Sequence, residues 1–161
     1  MRMKGFTLIE LLVVISIIGV LTTLVVVNYQ SARERARDAQ RKGDFRELKT
    51  ALRLYYNDFQ GYPAANAGTM IACGADGANP IPCSWGEQWK LEDTVYMGRL
   101  PVDPLNISDY VYSYTQTGSG EDFEVTTLLE NLSDPAVDQS QTNCDYTPAV
   151  GKEQTYVVCA N

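Results

Sequence analysis

The sequence predicts an α+β protein in which one long amino-terminal helix is packed on a carboxy-terminal head built around an antiparallel β-sheet. Three observations carry that expectation. Residues 6–27 form an almost unbroken apolar run, and residues 28–60 continue in helical periodicity with no proline and a single glycine. Residues 61–161 then hold alternating apolar and polar segments set between turn residues. The expected organisation is a short basic segment at 1–5, a membrane-length helix at 6–27, its amphipathic continuation at 28–60 and a head at 61–161 with disulfide loops.

The apolar run opens Phe6-Thr7-Leu8-Ile9-Glu10-Leu11-Leu12 and reaches Val27. At about 1.5 Å per residue it spans roughly 33 Å, enough for one membrane crossing. Arg2 and Lys4 precede it and place the amino terminus in the cytoplasm by the positive-inside rule. A secretory signal peptide fits less well, because the run is long for an h-region and Asn28-Tyr29-Gln30-Ser31 follows where an Ala-x-Ala site belongs. Glu10 is the anomaly. A carboxylate at the centre of a spanning helix costs about 2.5–3.5 kcal/mol on insertion scales, so it marks a functional site and needs a neutralising partner. A cut between Gly5 and Phe6 creates one, an ammonium at Phe6, and residues i and i+4 lie one above the other on a helix. A plain membrane anchor leaves Glu10 unexplained.

At Lys4-Gly5 followed by Phe6-Thr7-Leu8-Ile9-Glu10-Leu11-Leu12 the chain resembles the type IV pilin superfamily. The resemblance implies the type IV pilin fold, removal of the leader at 1–5 by a prepilin peptidase, and N-methylation of the new terminus at Phe6. It also implies that Glu10 pairs with the Phe6 ammonium, in its own chain or in the preceding subunit of a helical homo-oligomeric filament. In such a core, removing either charge strands the other, at a cost of several kcal/mol. A platform protein and cytoplasmic ATPases are the implied assembly machinery. The superfamily also implies local unwinding around Gly19 when subunits pack, which a glycine permits. The helix-kinking proline of many pilins is absent from this run.

Beyond the run, Tyr29, Ala32, Ala36 and Ala39 follow one helical stripe, and Phe45, Leu48, Leu52, Tyr55 and Phe59 follow another, out of phase with the first. The slip falls around Gly43, as a bend or as a change of packing partner. The alanine stripe suits close helix packing in a bundle, and the bulky stripe suits the core of a head. Span and continuation together make a helix of about 55 residues, far beyond ordinary globular lengths, so it needs partners along its length. It is expected to end at Gly61, with Pro63 as a stop.

Charge divides the chain. Arg33, Arg35, Arg37, Arg41, Lys42, Arg46, Lys49 and Arg53 face only Glu34, Asp38, Asp44 and Glu47 between 28 and 53, whereas residues 54–161 hold Lys90, Arg99 and Lys152 against fifteen acids. Basic stalk and acidic head are complementary, and a solvated helix face near lipid headgroups explains the basic residues equally well. So acidic a head disfavours a nucleic-acid surface, since phosphate contacts need a basic patch.

In the head, residues 61–88 read as a structured loop rich in Ala, Gly, Asn and Pro. Strands are expected at 110–116, with three tyrosines on one face, at 122–129, with Phe123 and Val125 inward, and at 155–159. Thr117-Gly118-Ser119-Gly120 is the expected hairpin turn between the first two. Four cysteines, Cys73, Cys83, Cys144 and Cys159, fit an oxidising extracytoplasmic setting. Three pairings are possible, and sequence proximity favours Cys73 with Cys83 and Cys144 with Cys159. The latter pair resembles the carboxy-terminal disulfide loop of many pilins. Zinc is the competing use, but the chain has no His and no Cys-x-x-Cys.

Leu100-Pro101-Val102-Asp103-Pro104 followed by aromatic strands resembles, more loosely, the head of the major pseudopilin of type II secretion. That resemblance implies a calcium-stabilised loop, whose counterpart here offers Asp134 and Asp138, although a solvated acidic loop is the better reading. The extra disulfide loop departs from that family. Asn106-Ile107-Ser108 and Asn131-Leu132-Ser133 fit the glycosylation tripeptide, a pattern common by chance. No Gly-rich phosphate loop or serine nucleophile elbow supports an enzyme. The sequence therefore predicts a structural subunit of a type IV pilus, held by its helix in the cell membrane with the head outside until it assembles. A type II secretion pseudopilin in a short periplasmic filament is the first alternative, and a minor pilin or membrane-tethered adhesive module the second.

Overall fold

The computed structural model describes residues 6–160, with backbone alone at 24–28. Helix α1 (Leu8–Phe59) is a single rod of 52 residues that runs through Gly19 and Gly43 without interruption. A capping box opens it. The Glu10 amide donates to Thr7 Oγ1 at 3.3 Å and the Thr7 amide donates to Glu10 Oε2 at 2.9 Å, satisfying two donors that a helix start otherwise leaves unpaired. Gln60 closes it in a left-handed conformation, φ 53°, with its amide donating to the Tyr56 carbonyl at 2.7 Å. Among the described residues no helix is long and apolar enough to cross a membrane. The described side chains of the apolar run stop at Thr23, short of its last valines.

The two stripes on α1 are a change of partner, not a bend. Tyr29, Ala32, Ala36 and Ala39 face away from the head, while Phe45, Leu48, Leu52 and Tyr55 are buried against it. Phe59, expected in the core, is half exposed and stacks on the Tyr55 ring at 4.5 Å.

The head carries three small antiparallel sheets where the sequence suggested one. The first joins β1 (Ala64–Asn66), β2 (Thr69–Cys73) and β3 (Ile81–Pro82), the second is the hairpin of β4 (Trp89–Leu91) and β5 (Thr94–Met97), and the third joins β6 (Ser113–Thr117), β7 (Asp122–Leu128) and β8 (Thr155–Cys159). Residues 61–88 are therefore not a loop. β1 and β3 are only three and two residues long, Ala-Ala-Asn and Ile-Pro, too short for an alternation to announce them. The β1–β2 turn relies on positive φ at Ala67 (47°) and Gly68 (79°), and a Cβ on Gly68 would fall 2.9 Å from Ser113 Oγ. β6 begins at Ser113, so Tyr110 lies outside it, while Tyr112 and Tyr114 are buried. Register puts Tyr114 opposite Val125 and Val125 opposite Val158.

The acidic segment after β7 is also shorter than expected, because α2 (Ala136–Asn143) begins inside it. Asp134 Oδ1 accepts the Ala136 amide at 3.0 Å and starts the helix. Val137 and Ser140 point inward, and the Val157 amide of β8 donates to Ser140 Oγ at 3.2 Å. Disulfides close two loops, Cys73–Cys83 over a separation of 10 residues and Cys144–Cys159 over 15. Each contributes about 3 kcal/mol by the chain-entropy argument. The core between α1 and the small sheets is aromatic. Tyr55, Trp89 and Tyr96 have ring centroids 5.2–5.7 Å apart, and Trp89 Nε1 donates to the Ala72 carbonyl at 3.0 Å.

Leu48→Ala, which empties a fully buried position, is expected to cost about 2–5 kcal/mol in urea unfolding of the purified chain. Phe59→Ala is expected to cost less than half of that. Equal losses at the two positions would contradict the placement of the head along α1.

Candidate functional site

The amino-terminal turn of α1 presents Phe6, Leu8 and Ile9 to solvent, and the apolar surface continues around the helix through Leu21. The hydroxyls within it are turned back on the helix. Ser16 Oγ donates to the Leu12 carbonyl at 2.6 Å, Thr22 Oγ1 to Ile18 at 2.7 Å and Thr23 Oγ1 to Val20 at 2.8 Å. A helix apolar all round is a surface for lipid or for other helices. Glu10 is the charge set into it, and its partner in the single chain is Thr7, whose hydroxyl donates to Glu10 Oε2 at 2.8 Å alongside the amide. While residues 1–5 remain attached, the Phe6 nitrogen is an amide and offers no ammonium. The Thr7-x-x-Glu10 capping box was legible in the sequence as a Thr followed three residues later by Glu. Gly5, the other member of the expected cut site, lies outside the described residues.

A second arrangement fixes stalk to head, and nothing in the sequence singled it out. Arg41 is fully buried. Its Nε and Nη2 donate to the two oxygens of Asp103 at 2.7 and 2.9 Å, and Nη1 donates to Asp38 at 2.8 Å and Glu130 at 2.7 Å. The guanidinium lies over the Tyr110 ring at 5.1 Å. Arg37 grips Glu130 from the next turn of α1 through Nε, at 2.7 Å, and through Nη2. Asp38 also accepts the amides of Glu130 and Asn131 at 3.0 and 2.9 Å. Asp103 also accepts the Leu105 amide at 2.9 Å and the Thr127 hydroxyl at 3.1 Å. Further up, tyrosine hydroxyls of the head donate to stalk acids, Tyr112 to Asp44 at 2.6 Å and Tyr96 to Asp58 at 2.8 Å.

Burial opposes the charges in this lock, and the hydrogen bonds outweigh it. The Arg41 guanidinium stays well above its ordinary pKa despite burial, through its bonds to Asp103, Glu130 and Asp38. Asp103, for which burial pushes the other way, is held below the usual carboxylate range by Arg41. Arg37 lowers Glu130.

The Asp134 carboxylate takes Lys42 Nζ at 2.6 Å on Oδ2 and the Ala136 amide on Oδ1, while Asp138 is exposed in the first turn of α2. Among the described residues no group of three or more His, Cys, Asp or Glu could hold a metal ion. A calcium ion needs about six to eight oxygen ligands, so the donor set does not fit it.

Because the folded carboxylates are depressed, the unfolded chain binds more protons in acid, and the lock's contribution is fully present above about pH 4–5 and lost below it. Tm is expected to stay level from neutral pH to about 5 and to fall steeply below about 4. Arg41→Ala, which strands three carboxylates, is expected to cost about 3–5 kcal/mol in chemical denaturation and to flatten that acid limb. A variant with wild-type stability would remove the lock from the account.

Comparison with known proteins gives the family. Residues 1–26 match the prokaryotic N-terminal methylation motif, and residues 28–141 match the model of type II secretion system protein G. The type II secretion system core protein G of Pseudomonas aeruginosa is 32% identical over 127 residues, covering 79% of this chain and 83% of the relative. That of Escherichia coli is 34% identical over 133 residues, covering 78% and 87%, and that of Klebsiella pneumoniae 38% over 109 residues, covering 68% and 73%. No solved structure matches the chain. The surface pilus, the first reading of the sequence, gives way to its alternative, the secretion pseudopilin. With a methylation motif leading into a protein G head, the chain belongs to the protein G family of type II secretion, the pseudopilin branch of the type IV pilin superfamily.

Proposed function

We propose that this chain is the repeating structural subunit of a short periplasmic filament that drives protein secretion, and that it is not an enzyme. The observation that carries the reading is the protein G match over residues 28–141 joined to the methylation motif over 1–26. Prepilin peptidase cuts between Gly5 and Phe6 and methylates Phe6. Residues 6–27 hold the subunit in the cell membrane, head outward, until a platform protein and the assembly ATPase move it into the filament.

The exposed apolar surface from Phe6 to Leu21 supports that reading, because a helix with no apolar partner in its own chain gains most by packing with copies of itself. The stripe of Ala32, Ala36 and Ala39 continues the packing surface above the membrane, where small side chains let helices approach closely. Glu10 is the registration charge. In a water-poor filament core it must meet the Phe6 ammonium of its own or a neighbouring chain, and that requirement sets the axial position of each new subunit.

Intact-mass analysis of envelope and sheared cell-surface fractions tests the assignment. The expected product begins at methylated Phe6 and stays with the envelope, whereas abundant mature chain in the sheared material would restore the surface pilus. Glu10→Val is expected to be processed and membrane-held yet to enter filaments at least tenfold less efficiently. Cross-linking between subunits at the wild-type level would sink the registration role.

A further inference from the structure

The resemblance to the secretion pseudopilins implies a calcium-stabilised loop, and the residues at 130–138, between β7 and β8, do not fit one. We propose that in this chain three cationic side chains of α1, Arg37, Arg41 and Lys42, do the work of that metal, so that the turn following β7 is locked without calcium. The inference rests on family membership and not on the filament role.

A bound cation stabilises an acidic turn by neutralising its carboxylates and by gathering oxygens around one point. Each of those tasks is already performed by the stalk. Glu130 lies between the guanidinium groups of Arg37 and Arg41, with nitrogen–oxygen distances of 2.7 Å to the Nε of one and the Nη1 of the other. Asp134 has both oxygens engaged, one by the Lys42 ammonium at 2.6 Å and one by the Ala136 amide at 3.0 Å. The backbone of the turn is held as well. Its Glu130 and Asn131 amides point into the Asp38 carboxylate, and the Ser133 amide donates to Asn131 Oδ1 at 3.3 Å. A divalent ion binding at Asp134 would have to displace an ammonium and share the site with a second cationic turn of helix.

The arrangement is also ordered along the chain in a way that a metal site is not. Arg37, Asp38, Arg41 and Lys42 occupy successive positions on the face of α1 that meets the head, so the turn is referenced to the stalk itself. Asp134 in turn starts α2, and α2 is covalently tied to β8 through Cys144–Cys159. The position of the whole carboxy-terminal layer thus follows from side chains present in every copy, whatever the calcium level around it.

Thermal unfolding of the full-length chain in detergent micelles, with excess chelator or with millimolar calcium chloride, tests the proposal. The expected result is the same Tm in both and no calcium heat in titration calorimetry. Lys42→Met is expected to lower Tm by about 2–4 °C with no recovery on adding calcium, and Lys42→Arg to stay near wild type. A wild-type Tm that falls with chelator or rises with calcium would overturn the proposal, and so would an unchanged Tm for Lys42→Met. None of these outcomes bears on filament entry, which the mass analysis reads separately.

Discussion

The structure depends on one buried charge. Arg41 sits on a helix that is open to solvent on its outer side, yet its guanidinium is fully enclosed. Taking such a group out of water is expensive, and it is tolerated only where planar, multidentate acceptors replace the lost hydration. Asp103 supplies a two-pronged acceptor from the segment before β6, Glu130 supplies one from the turn after β7, and Asp38 supplies one from the same helix. Three separate parts of the chain must therefore arrive together. The lock says where on a long rod the head is placed, a question that nonspecific apolar packing between Phe45 and Tyr55 answers poorly, because a helix stripe slides in register far more cheaply than a fork of hydrogen bonds.

That position divides the molecule into two regimes of stabilisation. Above Arg41 the chain is self-sufficient, with an aromatic core, two disulfides and tyrosine hydroxyls that donate into stalk acids. Below Arg37 the described apolar residues of α1, with Ala32 and Ala36, stay exposed. An isolated helix of this kind is only marginally stable in water, so its stability has to come from lipid or from other subunits. On the proposed function, the division lets the stalk exchange one apolar environment for another without disturbing the contacts of the head. A head whose fold leaned on the lower stalk would be strained by each such transfer.

Much of this was legible in the sequence where a long-range period or a fixed spacing carried it. The continuous α1 rod, the inward Phe123 and Val125, and strand β8 are readable because alternation and helical phase survive over many residues. The phase slip near Gly43 was visible too, and its cause is now plain as the boundary between open stalk and covered stalk. The rest was hidden by brevity or by ambiguity. Strands of two or three residues built on Ala, Asn and Pro leave no period to detect, and α2 was masked by its acidic first turn. Arg41 was the least visible of all. A basic residue among eight on an exposed-looking helix reads as solvated, and only the tertiary approach of Asp103, 62 positions away, makes it a core residue.

Glu10 and Arg41 show how one helix solves opposite problems with the same chemistry. At Arg41 the partners are all in the chain and the charge is finished. At Glu10 both hydrogen bonds from Thr7 fall on Oε2, and a carboxylate has acceptor room on its other oxygen as well. The capping box and an ammonium partner are therefore compatible. Cleavage before Phe6 would leave the Thr7 cap in place and add a cation next to a carboxylate already aimed at the helix start, where the helix dipole favours negative charge. In the uncut chain the Phe6 nitrogen is an amide, so the ammonium four residues before Glu10 does not exist until cleavage. Processing and assembly are coupled in this view by electrostatics alone. On the proposed reading, cleavage would not need to reshape the helix, because Thr7 already holds Glu10 in position.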